Sequence, residues 1–196
     1  MVRLTIDGKV VEAKKGTSIL HAAESVGIKI PTLCYIEDLL PDGSCRMCMV
    51  EIENRGRTKM ETACTAQVGE GLVVTTNSEK VRNARRNVLD MLLSNHKTDC
   101  FSCRANGDCK LQELCFEYGI ERTTYSGEQT ELPIDDSNKF FTYNPNLCIL
   151  CHRCVNTCHK IVGRGAIDTM ERGFDSVIGT PFNIPWKETI CESCGN

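Results

Sequence analysis

The stretch Cys148-Ile149-Leu150-Cys151-His152-Arg153-Cys154-Val155-Asn156-Thr157-Cys158 holds three cysteines at intervals of three and a fourth four residues later. A thiolate at every third residue lets a short loop wrap one face of a cubane and offer three sulfurs to three irons. The fourth cysteine points away and serves a second cluster. A second cysteine group is therefore expected downstream, and Cys191-Glu192-Ser193-Cys194-Gly195-Asn196 begins one. In this swapped arrangement Cys148, Cys151 and Cys154 hold one [4Fe-4S] cluster, with the fourth ligand expected beyond residue 196. Cys158 joins Cys191 and Cys194 in another, whose last ligand is also expected beyond the chain end. The expectation is a segment of a longer polypeptide, without a catalytic domain of its own.

The 196 residues suffice for one large domain or two to three small ones. The net charge of -3 and the absence of a basic stretch argue against a nucleic-acid partner. No apolar run reaches the length of a membrane span, and Met1-Val-Arg-Leu-Thr-Ile-Asp runs into a strand pattern rather than a signal peptide. The expected location is the cytoplasm, where fourteen cysteines point to metal rather than disulfides. Oxygen-labile clusters suggest an anaerobic setting. Metal binding can supply folding free energy, so the metal-free chain is expected to be largely unfolded beyond about residue 95.

At the N-terminus Val2, Leu4 and Ile6 alternate with Arg3 and Thr5. Asp7-Gly8 signals a hairpin turn, and Lys9 to Ala13 returns with Val10 and Val11. Thr17 is placed to cap a helix over 18–26, with Ile19, Leu20, Ala23 and Val26 on one side and Gly27 as its stop. Strand, strand, helix and then a cysteine-bearing loop is the opening of a ferredoxin-type β-grasp domain. Cys34, Cys45, Cys48 and Cys64 follow as C-x10-C-x2-C-x15-C. Asp42-Gly43-Ser44 allows a tight turn whose amides can face a cluster. The stretch Val10 to Cys64 resembles the N-terminal [2Fe-2S] domain shared by the large subunit of respiratory NADH dehydrogenase, [FeFe] hydrogenases and several formate dehydrogenases, and Gly43-Ser-Cys45-Arg-Met-Cys48-Met-Val-Glu-Ile carries its motif. A four-cysteine zinc site is the competing reading, but such sites pair two knuckles and this stretch has one.

Thr76 and Glu79 have capping-box spacing ahead of a helix over 76–95, with Val81, Ala84, Val88, Met91 and Leu92 on its apolar face. Arg82, Arg85 and Arg86 read as a solvated face, or else as a docking patch for an acidic partner. The resemblance places a [4Fe-4S] cluster on His96, Cys100, Cys103 and Cys109, where a neutral imidazole replaces one thiolate. Histidine ligation raises the potential in Rieske centres. Zinc on the same four residues competes with it. A short helix is expected over 111–118, with Gly119 as its stop, and Leu111-Gln112 also fits the family. Cys115 is left over and reads as a small buried apolar residue.

Polar residues 123–139 read as a linker, and Phe140 to Tyr143 as a short strand. Asn144-Pro-Asn-Leu-Cys148 resembles the usual entry to a bacterial ferredoxin cluster loop. Cys158 is followed by His159 where such loops commonly carry proline, and neither His152 nor His159 is needed as a ligand. Residues 161–178 read as a hairpin-like insert. Their wording, with Pro181-Phe182 and Cys191-x2-Cys194 beyond, resembles formate dehydrogenase catalytic (alpha) subunits, and resembles less the respiratory subunit, taken to lack a doubled ferredoxin arrangement.

Together these features predict an α+β chain: a [2Fe-2S] β-grasp domain over 1–78, a helical histidine-ligated [4Fe-4S] domain over 79–122, a linker over 123–139, and an incomplete bacterial-ferredoxin-like 2x[4Fe-4S] domain over 140–196. The sequence holds no nucleophile constellation and no phosphate-cradling glycine loop. The resemblance implies an electron-transfer module between NAD(P)H/flavin or iron-sulfur redox subunits and a catalytic domain or subunit, of a formate dehydrogenase first, or of an [FeFe] hydrogenase or NADH dehydrogenase-type complex. A zinc-binding scaffold is the alternative of a different class.

Overall fold

The computed structural model describes residues 1–195; Asn196, the last residue of the expected C-terminal segment, lies outside the described residues. The fold is mixed α+β and divides into two compact units. Among the described residues the first comprises 1–91 and 100–122, the second 92–99 and 123–195.

The first unit is built on a five-stranded sheet. Strands β1 (Val2–Ile6) and β2 (Lys9–Ala13) form an antiparallel hairpin. Its two-residue turn, Asp7-Gly8, has both φ positive (46° and 80°), the twist-matched turn that Asp-Gly favours. Leu4, Ile6, Val11 and Ala13 point inward, while Val10 is exposed. Helix α1 (Ile19–Glu24) is shorter than its periodicity suggests. Its cap is Ser18 rather than Thr17: the Ser18 side chain accepts from the His21 amide at 3.2 Å. Strands β3 (Met49–Asn54) and β4 (Arg57–Thr62) make a second hairpin, turned at Arg55-Gly56, again with both φ positive. Strand β5 (Val73–Thr75) fills the gap, parallel to β1 and antiparallel to β3, giving the order β2-β1-β5-β3-β4. Ile19, Leu20 and Ala23 of α1 share one apolar core with Leu4, Ile52 and Val74.

Helix α2 (Glu79–Ser94) begins three residues later than expected. Ser78 Oγ accepts from the Val81 amide at 3.2 Å. Thr76 does not form the capping box because it is bound elsewhere: its amide and hydroxyl both donate to the Asp7 carboxylate. Val81, Arg85 and Leu89 are buried, whereas Met91, expected on the apolar face, is exposed. Helix α3 (Lys110–Glu117) follows, buries Leu111, Leu114 and Cys115, and stops at Gly119, where φ is +64°.

The second unit is loop-rich. Phe140 to Tyr143 is not a strand; one isolated bridge joins Asp135 to Tyr143. Residues 132–137 are held down rather than free: the Asn146 side chain accepts from the Leu132 amide and donates to its carbonyl, both at 2.8 Å. Asp135 also accepts from the Trp186 amide at 3.1 Å. Helix α4 (Arg153–Asn156) runs into a π-helical turn at Thr157–Ile161, a form common at functional sites. Within the expected insert, β6 (Asp168–Met170) and β7 (Val177–Gly179) pair as an antiparallel ribbon. Phe141 and Tyr143 pack on Trp186 with ring centroids 5.1 and 4.9 Å apart.

Candidate iron-sulfur centres

In the first unit Cys34, Cys45, Cys48 and Cys64 come together from three segments. The α1 start pins the loop carrying Cys64, because the Ile19 and Leu20 amides donate to the Ala66 and Ala63 carbonyls at 2.8 and 2.9 Å. Cys48 precedes β3, and its carbonyl accepts from the Ala63 amide at 3.0 Å, which sets Cys48 beside Cys64. Their sulfurs lie 3.4 Å apart. Two sulfurs on one tetrahedral metal, with bonds of about 2.3 Å, stand about 3.8 Å apart, so this pair needs only a small opening to share an iron.

The thiols act in two pairs. Cys34 accepts hydrogen bonds from Cys45 and from Ser44, which draws its pKa down to about 5 against the opposing effect of burial. Cys48, hydrogen-bonded to Cys64, is drawn down to about 7 against the opposing effect of burial. Cys45 and Cys64 move up, first through those same hydrogen bonds and then because each is buried. A metal that takes all four sulfurs must displace the thiol protons. Two thiols per metal, twice over, fits a binuclear centre.

The approach to this site is tight. Gly43 has φ +65°, and a Cβ there would meet Thr65 Cγ2 at 3.1 Å and Thr62 Oγ1 at 3.3 Å. Arg46 is left-handed at φ 59°, and the Met47 amide donates to Cys45 Sγ at 3.5 Å. The same device recurs in the second unit. Leu150 (φ 52°), His152 (φ 59°) and Ser193 (φ 53°) are left-handed inside C-x2-C spacings. The Leu150 and Ser193 amides each donate to the cysteine two residues back, Cys148 and Cys191, at 3.4 Å. Non-glycine residues resist this conformation by roughly 1–2 kcal/mol, and such strain gathers at functional sites.

Cys100, Cys103 and Cys109 lie in the first unit on a run of turns before α3. The Asn106 amide donates to the Cys103 carbonyl at 3.0 Å, and Cys109 stands at the N-cap of α3. Gln112 pins the loop, accepting from the Gly107 amide and donating to Asn106 Oδ1, both at 3.0 Å. Cys115 is buried beside this site. Burial, then the nearby Cys109 and Cys100, push its thiol up to about 11, in keeping with an apolar packing role. His96 falls in the 92–99 segment of the second unit. Its Nδ1 is buried without a hydrogen-bond partner among the described residues. Burial holds its pKa below the ordinary value. That burial favours the neutral ring, the form that ligates metals.

In the second unit Cys148, Cys151 and Cys154 lie close enough for their charges to interact, and burial and those neighbours push the Cys154 thiol up to about 11. Cys158 and Cys191 enter the same apolar cluster as Cys148, Cys154 and Trp186, while Cys194 is exposed. Cys158 Sγ accepts from the Ala166 amide at 3.2 Å. His159, which stands where such loops commonly carry proline, lies within the π-helical turn. Its Nε2 donates to the Ile167 carbonyl at 2.9 Å.

Sequence reasoning missed Arg85. It is neither a solvated face nor a docking patch but 3% exposed, donating to the Met49 carbonyl at 2.8 Å and the Tyr118 hydroxyl at 2.9 Å. Arg82 lies over the Tyr118 ring, 5.6 Å from its centroid, and Arg86 donates to the Tyr118 carbonyl. The signal was the i, i+4 spacing of Arg85 with Val81 and Leu89.

Comparison with known proteins agrees with this chemistry. Residues 1–79 match the 2Fe-2S iron-sulfur cluster binding domain, and residues 85–124 match the NADH-ubiquinone oxidoreductase-G iron-sulfur binding region. A chain in the crystal structure of an NAD+-reducing [NiFe]-hydrogenase in the H2-reduced state is 31% identical, with a TM-score of 0.84, over 91% of this chain and 74% of that one. The chain belongs to the same family as that hydrogenase chain and carries iron-sulfur binding domains. Within this family it is 42% identical over its whole length to the NADPH-Fe(3+) oxidoreductase subunit alpha of Geobacter sulfurreducens, covering 23% of that protein. It is 38% identical to the NADP-reducing hydrogenase subunit HndD of Solidesulfovibrio fructosivorans, covering all of this chain and 34% of that one. An NADH-quinone oxidoreductase subunit of Rhizobium meliloti, also 38% identical, matches all of this chain and 23% of its own length. That full-length match means the segment after residue 140 does not set the chain apart from NADH-quinone oxidoreductase subunits. The chain thus spans roughly a quarter to a third of the length of these curated relatives. Among the described residues no helix is long and apolar enough to cross a membrane.

Proposed function

We propose that the chain is an electron-transfer module that relays electrons between an NAD(P)H/flavin or iron-sulfur redox partner and a catalytic domain or subunit. The observation that carries this reading is the arrangement of Cys34, Cys45, Cys48 and Cys64 as two thiol pairs, with Cys48 and Cys64 in the apolar core shared by α1 and the sheet, a fit to one [2Fe-2S] centre in a β-grasp domain. His96, Cys100, Cys103 and Cys109 are the proposed ligands of a [4Fe-4S] cluster. Cys148, Cys151 and Cys154 are proposed for a second, and Cys158, Cys191 and Cys194 for a third. The clusters supply reversible one-electron transfer. The chain's own part is to hold thiolates, aim amides at sulfur and exclude water.

For the parent enzyme, the wording of residues 161–194 supports a formate dehydrogenase, and the whole-chain likeness to hydrogenase and NADH dehydrogenase chains supports either of those. Reduction of the clusters in the whole protein by formate, by H2 or by NAD(P)H alone separates the three. The relay itself is tested by EPR of the anaerobically reduced chain. Cys34→Ala should remove the binuclear signal alone, and Cys100→Ala one cubane signal alone. Unchanged spectra in both variants would end the ligand assignment.

A further inference from the structure

Arg85 is a buried charge that the relay, as described, does not use. Its two acceptors among the described residues, the Met49 carbonyl and the Tyr118 hydroxyl, are neutral. Its Nε is buried without an acceptor among the described residues. Burying a guanidinium against neutral partners is costly unless an anion stands close by. Met49 directly follows Cys48, so the guanidinium is hydrogen-bonded to the backbone of the residue next to a proposed cluster ligand. Four thiolates and two sulfides around two irons carry net negative charge, and reduction adds one more. Arg82 and Arg86 hold the ring and carbonyl of Tyr118 from the same helix face, which fixes the fork of Arg85.

We infer that Arg85 is the buried counter-ion of the centre at Cys34, Cys45, Cys48 and Cys64, a positioning residue that stabilises its reduced form while tying α3 to β3. The inference rests on the proposed [2Fe-2S] reading. The step it biases is the gain of one electron by the centre, with no bond made or broken. At a separation of roughly 10 Å and an effective dielectric of about 20, one unit charge changes the reduced-to-oxidised ratio by a little over tenfold.

The test is an EPR-monitored redox titration of the full, iron-loaded chain, poised with dithionite and dye mediators. Iron, sulfide and the wild-type binuclear signal first establish the centre itself; their absence would count against the [2Fe-2S] reading rather than against Arg85. With the centre present, Arg85→Met should lower the midpoint by about tenfold in reduced-to-oxidised ratio, or about 59 mV for a one-electron couple. Arg85→Lys, which keeps the charge, should stay within about threefold of wild type. Tyr118→Phe, which removes only a hydroxyl, should leave the midpoint in place while lowering thermal stability. An unchanged midpoint in Arg85→Met, or a shift in Arg85→Lys as large as that in Arg85→Met, overturns the inference. An Arg85→Met chain that cannot hold iron also overturns it, in favour of a purely structural role.

Discussion

Replacing Gly43 by alanine tests how tightly the loop between Cys34 and Cys45 is built. At φ +65° an alanine costs about 1 kcal/mol in backbone strain. Its Cβ would lie 3.1 Å from Thr65 Cγ2 and 3.3 Å from Thr62 Oγ1. Those side chains cannot swing aside freely, because their hydroxyls are hydrogen-bonded to each other and Thr62 is buried. Overpacking of this kind costs about 1–2 kcal/mol. The sum, about 2–3 kcal/mol, corresponds to a fall in melting temperature on the order of 10 °C for a unit of this size. The assay is anaerobic thermal unfolding of the loaded chain, followed by loss of visible absorption. Thr65→Ser removes the 3.1 Å contact and keeps the hydroxyl, so combined with Gly43→Ala it should recover roughly half of the loss, a coupling read from a double-mutant cycle. Gly43→Ala within about 0.5 kcal/mol of wild type, or no recovery with Thr65→Ser, would refute the reasoning.

Ser18→Ala removes the α1 cap and should cost the first unit about 1 kcal/mol in chemical denaturation, whereas Thr17→Ala should cost less. The Asp135 carboxylate is held below its ordinary pKa, first by hydrogen bonding to Ser137 and also by the Trp186 amide. Its stabilising effect should be complete above a pH of about 4 and lost as pH falls through the lower folded value. Trp186 is the single tryptophan, so its fluorescence follows this acid transition, which should flatten in Asp135→Asn. Removing iron with a chelator should leave the five-stranded sheet folded on its own apolar core and free most amides beyond about residue 95 to exchange; retained protection there would show that metal does not drive that part of the fold.

The parts of the fold written in short-range signals were legible in the sequence. The β1–β2 hairpin follows from alternation and Asp-Gly, and α3 from its apolar spacing and Gly119. The elements that depend on distant partners were harder to see. Thr76 looks like a cap until Asp7, far away in sequence, takes its hydroxyl. Phe140 to Tyr143 has strand composition but lacks a neighbouring strand, so its aromatics pack on Trp186 instead. The β3–β4 hairpin was not singled out, although Asn54-Arg55-Gly56 carries a turn signal. At the candidate sites the cysteine spacing pointed to the four thiols that the fold brings together in the first unit. The left-handed knuckle residues were invisible, because backbone handedness has no fixed sequence pattern, and the burial of Arg85 was written only in its i, i+4 spacing with Val81 and Leu89.

The most direct test of the central claim is the content of iron, acid-labile sulfide and zinc in the anaerobically purified chain, taken with EPR of its reduced state. The account predicts iron and sulfide in nearly equal amounts, at no fewer than about six irons per chain, two for a binuclear centre and four for a cubane, with both signals present. Zinc bound without sulfide would contradict it and leave a zinc-binding scaffold in its place.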